Sequence, residues 1–399
     1  MNITSLFNTG KKEKLFLDWM KNNFDVIAVI VVTIAGIFCR YKMIPYSHSD
    51  FTSYVCAWYD QLKADGGLLG LKYYTGNYNY PYPTILALLT YIPINKYYTI
   101  KGVGILFDLA MAVVSGLLCR KVYGNKYSFS AAYICVFMSP LVMLNGAYWG
   151  QCDSIYTCFI LLALLFMLSE KYPLSFLIYG VAVAFKIQAL FIFPLFVIIY
   201  LINKKYSILN FLLIPIGFLV TSLPGMIFSQ KGIKGIYNIL FSQIDEGELL
   251  SANFPNIYYW FPAQEYDLYL KVGLMFVLFT FVFICLYLQK NVNKLDNDAI
   301  LGLGVWTVLC CAYLIPKMHE RYGFVAEVLL LIWVMGHKKW LWYAILVITI
   351  ILFSYFTVLH GYNLYLFQNM GMINIIAFVV FSLFLFSDIK KKAKIYEVS

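Results

Sequence analysis

Residues 268–289 read LYLKVGLMFVLFTFVFICLYLQ and contain a single charged residue, Lys271. A helix of this length extends about 33 Å, and the hydrocarbon core of a bilayer is roughly 30 Å thick. The stretch is therefore predicted to cross a membrane as one helix. Similar apolar stretches recur along the chain, and they decide its fold class.

The composition of the whole chain agrees with this interpretation. Of its 399 residues, 62% are hydrophobic and 13% are charged. Soluble domains are about 45–50% apolar and about 25% charged, so a soluble fold could not bury this much apolar surface. The net charge of +10 does not indicate a nucleic-acid partner, because the basic residues lie in short runs between apolar stretches. Such runs orient a membrane protein.

We predict an all-α, polytopic membrane protein, with residues 1–399 forming a single transmembrane domain of about twelve helices. The predicted spans are 24–40, 101–119, 129–147, 153–169, 173–186, 187–203, 207–228, 268–289, 297–315, 322–336, 339–358 and 370–388. An even number of spans places both termini on one side, and the short basic loops make that side cytoplasmic. No organelle-retrieval signal is recognisable, so we expect a bacterial plasma membrane.

Two predicted outer segments, residues 41–100 and 229–267, are long enough to be structured. Within the first, residues 83–93 are apolar but too few to span, which predicts a helix lying on the outer leaflet. The second contains an acidic group formed by Asp245, Glu246 and Glu248.

Two carboxylates at the predicted outer surface are candidates for catalysis. Asp50 follows the first span, where partial burial would suit a general base, although it is also compatible with a solvated loop acid. Asp153 follows Trp149 and Gln151 between two apolar spans. This is either a polar site or an ordinary turn behind a tryptophan at the membrane interface.

Basic residues at the same predicted depth could bind an anion. Lys317, His319 and Arg321 surround Glu320 between two spans, and ionisable residues in such positions are often functional. They suit a phosphate group, and the alternative is an interfacial anchor containing a Glu–Arg pair. Lys186 interrupts a long apolar stretch, which predicts either a turn at the outer surface or a side chain that snorkels to the interface.

These residues together combine candidate bases with candidate phosphate ligands. An enzyme acting on a lipid-anchored phosphate substrate needs a base for the acceptor hydroxyl and cations for the departing phosphate. It also needs an apolar groove for the lipid tail. The sequence therefore favours such an enzyme.

Several short motifs follow one another in the chain. They are DFTSY at 50–54 with Trp58, GNYNYPYP at 76–83, WGQCDS at 149–154, FKIQ at 185–188, NFPN at 253–256 and MHERY at 318–322. In this order they resemble the motifs of GT-C-fold membrane glycosyltransferases, most closely a bacterial branch similar to the GPI mannosyltransferases.

The resemblance implies transfer of a sugar, with inversion, from a polyprenyl-phosphate donor to a glycan, glycolipid or protein acceptor on the outer face. It implies that Asp50 is the general base and Asp153 a substrate-orienting residue or second acid. The candidate ligands of the donor phosphate are Lys186, Lys317, His319 and Arg321. The candidate substrate contacts are His48, Tyr80, Gln151, Gln188, Asn256 and Glu320.

We expect no cofactor, because no close pair of carboxylates in an outer loop would hold a divalent metal, although some GT-C relatives use one. Two alternatives remain open. One is a polysaccharide polymerase or ligase that uses diphosphate-linked glycans. The other is a transporter of lipid-linked sugars, which should show related halves and ionisable groups near the middle of the membrane.

Overall fold

The computed structural model describes residues 10–244, 249–262, 265–361 and 366–398, and helices make up most of this part of the chain. In chain order the α-helices are α1 (Lys11–Asn22), α2 (Phe24–Met43), α3 (Ala57–Ala64), α4 (Pro81–Leu89), α5 (Lys96–Tyr123), α6 (Ser128–Phe137), α7 (Pro140–Met143), α8 (Asp153–Leu168), α9 (Tyr172–Phe185), α10 (Phe193–Asn203), α11 (Leu213–Ser229), α12 (Gly232–Ile244), α13 (Tyr266–Asn291), α14 (Asn297–Leu314), α15 (Phe324–Trp333), α16 (Leu341–His360) and α17 (Phe367–Val398). The acidic group predicted in the second outer segment, Asp245, Glu246 and Glu248, lies outside the described residues.

Short segments of 3-10 or π-helix extend or join the α-helices. They cover Phe51–Cys56, Gly67–Tyr73, Leu144–Trp149, Ile187–Ile192, Ile208–Leu212, Ile257–Trp260 and Lys338–Trp340. Two short strands, β1 (Ser251–Ala252) and β2 (Met318–His319), pair in parallel. This pairing joins the second predicted outer segment to the loop between α14 and α15.

In the described part of the chain, seven helices are long and apolar enough to cross a membrane. They are Phe24–Met43, Lys96–Tyr123, Ile208–Ser229, Tyr266–Asn291, Asn297–Leu314, Lys338–His360 and Phe367–Lys394. Ser128–Phe137 and Pro140–Trp149 form a pair bent by 48°, which would raise the number to eight. The prediction of an all-α polytopic membrane protein is confirmed at this level, but the number of twelve spans is not.

The difference arises from helix length. All twelve predicted spans fall on helical segments, but four of these segments are short: Asp153–Leu168, Tyr172–Phe185, Ile187–Asn203 and Phe324–Trp333. The first of them rises only about 24 Å, less than the roughly 30 Å hydrocarbon core. Most residues of α8 are buried inside the protein. Its apolar composition therefore reflects packing against other helices, which hydropathy alone cannot distinguish from contact with lipid.

The helices divide into a buried core and a periphery. The most apolar part of α14 is 83% buried inside the protein, whereas that of α2 is 11% buried. Close packing between α9 and α11 depends on Gly180 and Gly217, where an added Cβ would collide with a backbone carbonyl of the facing helix. Small residues of this kind let helix backbones approach one another in a membrane.

The first predicted outer segment is ordered and largely helical. The apolar run at 83–93 overlaps α4, in which Pro83, Leu86 and Ala87 are buried against the rest of the protein. Beyond the end of α4, Tyr91 is exposed. This short helix is therefore buried against the bundle over most of its length.

Two groups of charged side chains lie near opposite ends of α14. At one end, Asp298 near the start of α14 accepts hydrogen bonds from Tyr123 at 2.7 Å and Lys392 at 2.5 Å and lies 2.9 Å from His337. The other end carries the loop that follows α14 and the first turn of α8. The candidate site lies there.

Candidate active site

Asp153, the first residue of α8, is fully buried between two cations. Lys186 donates a hydrogen bond to its Oδ1, and Asn145 Nδ2 donates to its Oδ2 at 2.8 Å. Arg321 Nη1 lies 3.7 Å from the same Oδ2. The carboxylate is thus paired and hydrogen-bonded on both oxygens, which is the condition for keeping a buried charge in a fold.

Breaks in the helices bring these residues together. The π-helical turn Leu144–Trp149 ends at Gly150, whose φ of 78° is in the left-handed region. Glycine is suited to this conformation, and an added Cβ would also collide with the Phe51 ring. α9 ends at Phe185 and Lys186 is extended, with φ −153° and ψ 129°. The helix therefore breaks at Lys186, where the sequence predicts a turn or a snorkelling lysine.

Arg321 links three neighbouring side chains. Its Nε donates to Glu320 Oε1 at 2.8 Å, and its Nη1 donates to Gln151 Oε1 at 2.5 Å. Its guanidinium also lies 5.1 Å from the centre of the Trp149 ring. Burial by itself lowers the pKa of Arg321, but the carboxylates of Glu320 and Asp153 raise the pKa well above its usual value. Arg321 therefore stays charged.

We call Asp153, Lys186, Glu320 and Arg321 the ion-pair cluster. Its two carboxylates balance its two cations, and Glu320 is also buried. Aromatic rings surround the Lys186 ammonium, which lies 5.6 Å from the Tyr156 ring centre and about as close to two others, those of Tyr78 and Tyr322. Charges in such water-poor surroundings interact more strongly than at the protein surface.

Asp50 lies beside His48, which packs against the same tryptophan as Arg321. The His48 Nδ1 is 3.7 Å from Asp50 Oδ1, and the Asp50 side chain is 37% exposed. The His48 ring packs edge-on against Trp149, with ring centres 6.0 Å apart. Because Trp149 also contacts Arg321, one tryptophan touches both the His48–Asp50 pair and the ion-pair cluster.

Lys101 in α5 supports both segments of the site and was not predicted from the sequence. It is buried, and its ammonium donates to the carbonyl oxygens of Ile44 at 3.1 Å, Tyr148 at 2.7 Å, and Tyr46. The carbonyls of Ile44 and Tyr46 lie shortly before His48 in the chain, and that of Tyr148 lies just before Trp149. No sequence pattern indicates this role, because Lys101 stands at the start of an apolar stretch, where a lysine usually snorkels to the interface.

Two further predicted residues, Gln151 and Gln188, lie next to the ion-pair cluster. Two others, Lys317 and His319, lie in the neighbouring segment between α14 and α15. Gln151 accepts from Arg321, and Gln188 lies beside the Tyr322 hydroxyl. His319 is in β2, with its Nδ1 3.9 Å from Glu320 Oε2. The backbone N–H of Lys317 donates to the Leu250 carbonyl at 2.8 Å and holds the loop in place.

The structure does not bring Tyr80 and Asn256 into contact with the ion-pair cluster. Tyr80 is buried against the glycines of α11 and α12, Gly225 and Gly235. Asn256 accepts a hydrogen bond from the Tyr258 N–H at 3.0 Å and so caps the following turn. From the same tyrosine-rich stretch, Tyr78 is the residue that reaches the site: its hydroxyl lies 3.5 Å from Gln151 Oε1.

A second ion pair lies directly behind the site. Arg40 Nε donates to Asp108 Oδ2 at 2.8 Å, and both side chains are completely buried. The other Asp108 oxygen accepts a hydrogen bond from Ser154, the residue after Asp153. This pair joins α2, α5 and α8 and supports the turn that carries Asp153.

Within the described residues, no three His, Cys, Asp or Glu side chains come together as a metal site would require. A cavity of about 640 Å³ lies at the opposite end of the bundle, lined by Lys121, Lys205 and Asp298 among others, and does not belong to this site.

The arrangement combines two chemical capacities. A partly exposed carboxylate such as Asp50 can accept a proton from a hydroxyl. Cations held in a water-poor site, such as Lys186 and Arg321, can stabilise a developing negative charge. Comparison with known proteins adds nothing to this, since no protein-family model and no curated protein matches the chain.

Proposed function

We propose that the protein is an inverting membrane glycosyltransferase of the GT-C type. It moves a sugar from a polyprenyl-phosphate donor to a hydroxyl of a glycan, glycolipid or protein acceptor at the outer face of a membrane. The observation that carries the proposal is the contact of Trp149 with both His48 and Arg321. One tryptophan ring thereby links the pair formed by His48 and the partly exposed Asp50 to the buried Arg321, and this reaction requires both a base and a cation.

In the proposed reaction, Asp50 accepts the proton of the acceptor hydroxyl as its oxygen attacks C1 of the sugar. The bond between C1 and the phosphate oxygen breaks, and that oxygen keeps the electron pair. Attack from the face opposite the phosphate inverts the configuration at C1. Polyprenyl monophosphate leaves, and the proton on Asp50 passes to water.

Lys186 and Arg321 are proposed to stabilise the charge on the leaving phosphate. Asp153 and Glu320 reduce the cost of burying these cations and hold them in position before a donor binds. Because both oxygens of Asp153 already accept hydrogen bonds, we assign it an orienting role. Lys317 and His319, on the adjoining loop, are proposed to contact the phosphate nearer the surface.

The test is sugar transfer by the purified protein in nanodiscs, with radiolabelled polyprenyl-phosphate sugars and a crude acceptor lipid extract. We expect Asp50→Asn to reduce transfer by roughly 10²–10⁴-fold, the usual contribution of a general base. The matched control is Asp65→Asn, because Asp65 is exposed on the same outer segment. Asp50→Asn activity equal to wild type would exclude this base.

A transporter of lipid-linked sugars is the second candidate, and one observation favours it. Glu327 in α15 is buried, and neither carboxyl oxygen has a hydrogen-bond partner among the described residues. Ionisable groups in such positions often mark transport pathways. Movement of a labelled lipid-linked sugar across vesicles without transfer would support this candidate. Transfer from diphosphate-linked donors alone would instead indicate a polymerase or ligase.

A further inference from the structure

Helix α1 presents an apolar face that no other part of the described protein covers. None of its residues is buried, and the large apolar side chains are exposed. The exposed fractions are 61% for Leu15, 57% for Phe16, 49% for Leu17, 55% for Trp19 and 38% for Met20. Helical positions are about 100° apart, so Leu15, Phe16, Trp19 and Met20 lie within about 140° of the helix circumference. Leu17 flanks this arc, and Lys12 falls within it at the first turn of the helix.

The opposite face of α1 is polar and mainly basic. It carries Lys11, Lys14, Asp18 and Lys21. A helix with a broad apolar face and lysines on the other face is typical of segments that lie in the surface of a bilayer. Lysines near an anionic surface strengthen such binding.

The position of α1 in the chain also indicates that a bilayer surface covers its apolar face. Only Asn23 separates α1 from α2, the first helix that is long and apolar enough to cross a membrane. The Asn23 side chain donates back to the Trp19 carbonyl at 2.8 Å and so caps the end of α1. An apolar face joined to a membrane-crossing helix by one residue cannot be far from the lipid surface.

We infer that α1 lies on the bilayer, with Leu15, Phe16, Trp19 and Met20 inserted at the acyl boundary and its lysines against anionic lipid headgroups. The partner is therefore the surface of an anionic membrane. This docking also sets the depth of α2, whose other end contains Arg40 and leads to the segment with His48 and Asp50. The inference does not depend on the proposed sugar transfer.

The test is hydrogen–deuterium exchange of the full-length protein in nanodiscs of phosphatidylcholine, with or without phosphatidylglycerol. The backbone amides of residues 11–22 should exchange more slowly in the anionic discs. Phe16→Ser with Trp19→Ser should remove the protection in both kinds of disc. Lys14→Gln with Lys21→Gln should speed exchange in the anionic discs by roughly 25-fold, about fivefold per lysine, and have little effect in the neutral ones.

The matched control is Lys63→Gln with Lys72→Gln, which removes the same charge from exposed lysines of the first outer segment. It should leave exchange in α1 unchanged. If the amides of α1 exchanged as slowly in both sets of α1 variants as in the wild type, the inference would be overturned. Protection that persists in neutral detergent and rises with protein concentration would also overturn it, because a second copy of the chain would then cover this face.

Discussion

Asp50 and Asp153 have different surroundings, although the sequence presents both as candidate acids. The Asp50 side chain is 37% exposed and lies 3.7 Å from His48. Asp153 is completely buried and paired with Lys186. A carboxylate that takes a proton from an acceptor hydroxyl must be accessible to that acceptor. A carboxylate that holds two cations in place must instead be shielded from water, which would compete for them. The two exposures thus favour different roles.

The ion-pair cluster makes a prediction about stability as well as activity. Asp153→Asn should destabilise the protein by about 3–5 kcal/mol, because it leaves a buried ammonium without its carboxylate. Asp153→Asn with Lys186→Met removes both charges and should recover most of this loss of stability. Both variants should lose sugar transfer, because the cation that faces the leaving phosphate is displaced or absent. Thermal unfolding in detergent and the transfer assay measure the two effects. A double variant no more stable than the single one would contradict the pairing.

At this scale the sequence indicated several of the residues that the structure brings together, and it missed the residues that support them. Asp153, Lys186 and Arg321 were recognisable because charged residues interrupt apolar stretches there. Lys101 and Asn145 were not, because their roles depend on backbone carbonyls and a carboxylate supplied by other segments. Such contacts carry no local sequence pattern.

At the scale of elements, the site is assembled at interruptions of the helices. Gly150 ends a π-helical turn, Lys186 separates two helical segments, and Met318–His319 pairs with β1. Each interruption releases the backbone from regular helical hydrogen bonding. A member of the ion-pair cluster stands at each interruption or within three residues after it: Asp153, Lys186, and Glu320 with Arg321. Non-helical backbone at membrane depth is tolerated where it is buried in protein.

Gly150 provides a test of this arrangement. Gly150→Ala should destabilise the protein by about 1–3 kcal/mol, since alanine is strained at this φ, and should also push Phe51 and hence Asp50 out of position. Gly124→Ala is the matched control, because Gly124 has φ 65° but open space around its Cβ position. We expect both variants to lower the unfolding temperature and only Gly150→Ala to reduce transfer markedly. Equal transfer by the two variants would show that the contact with Phe51 does not matter.

The elements themselves were largely predictable, since every predicted span falls on helical structure. Their relation to the membrane was less so. α8 and α15 are apolar because they pack inside the protein, and the most apolar part of α14 is also largely buried. Hydropathy gives the same result for a buried helix and for one in contact with lipid, so the count of spans could not be obtained from it.

At the scale of the whole molecule, the polar groups at the two ends of the bundle have different uses. The ion-pair cluster and the His48–Asp50 pair form the candidate site at one end. At the other, Asp298 connects α14 to α5 through Tyr123 and to α17 through Lys392, and it contacts His337 after α15. We assign this second group to stability, because it ties together helices that are distant in the sequence.

Asp298→Asn tests the separation of the two ends. It removes a charged acceptor from several hydrogen bonds and should destabilise the protein by about 1.5–3 kcal/mol. The kcat and KM for sugar transfer should stay near wild type, because the substitution lies at the end opposite the site. Glu170→Gln is the control: it breaks the exposed pair with Lys205 at the same end and should change stability little. If Asp298→Asn lowered kcat without lowering the unfolding temperature, the two ends would be coupled through the bundle. Such coupling is expected of a transporter, which would then become the better candidate function.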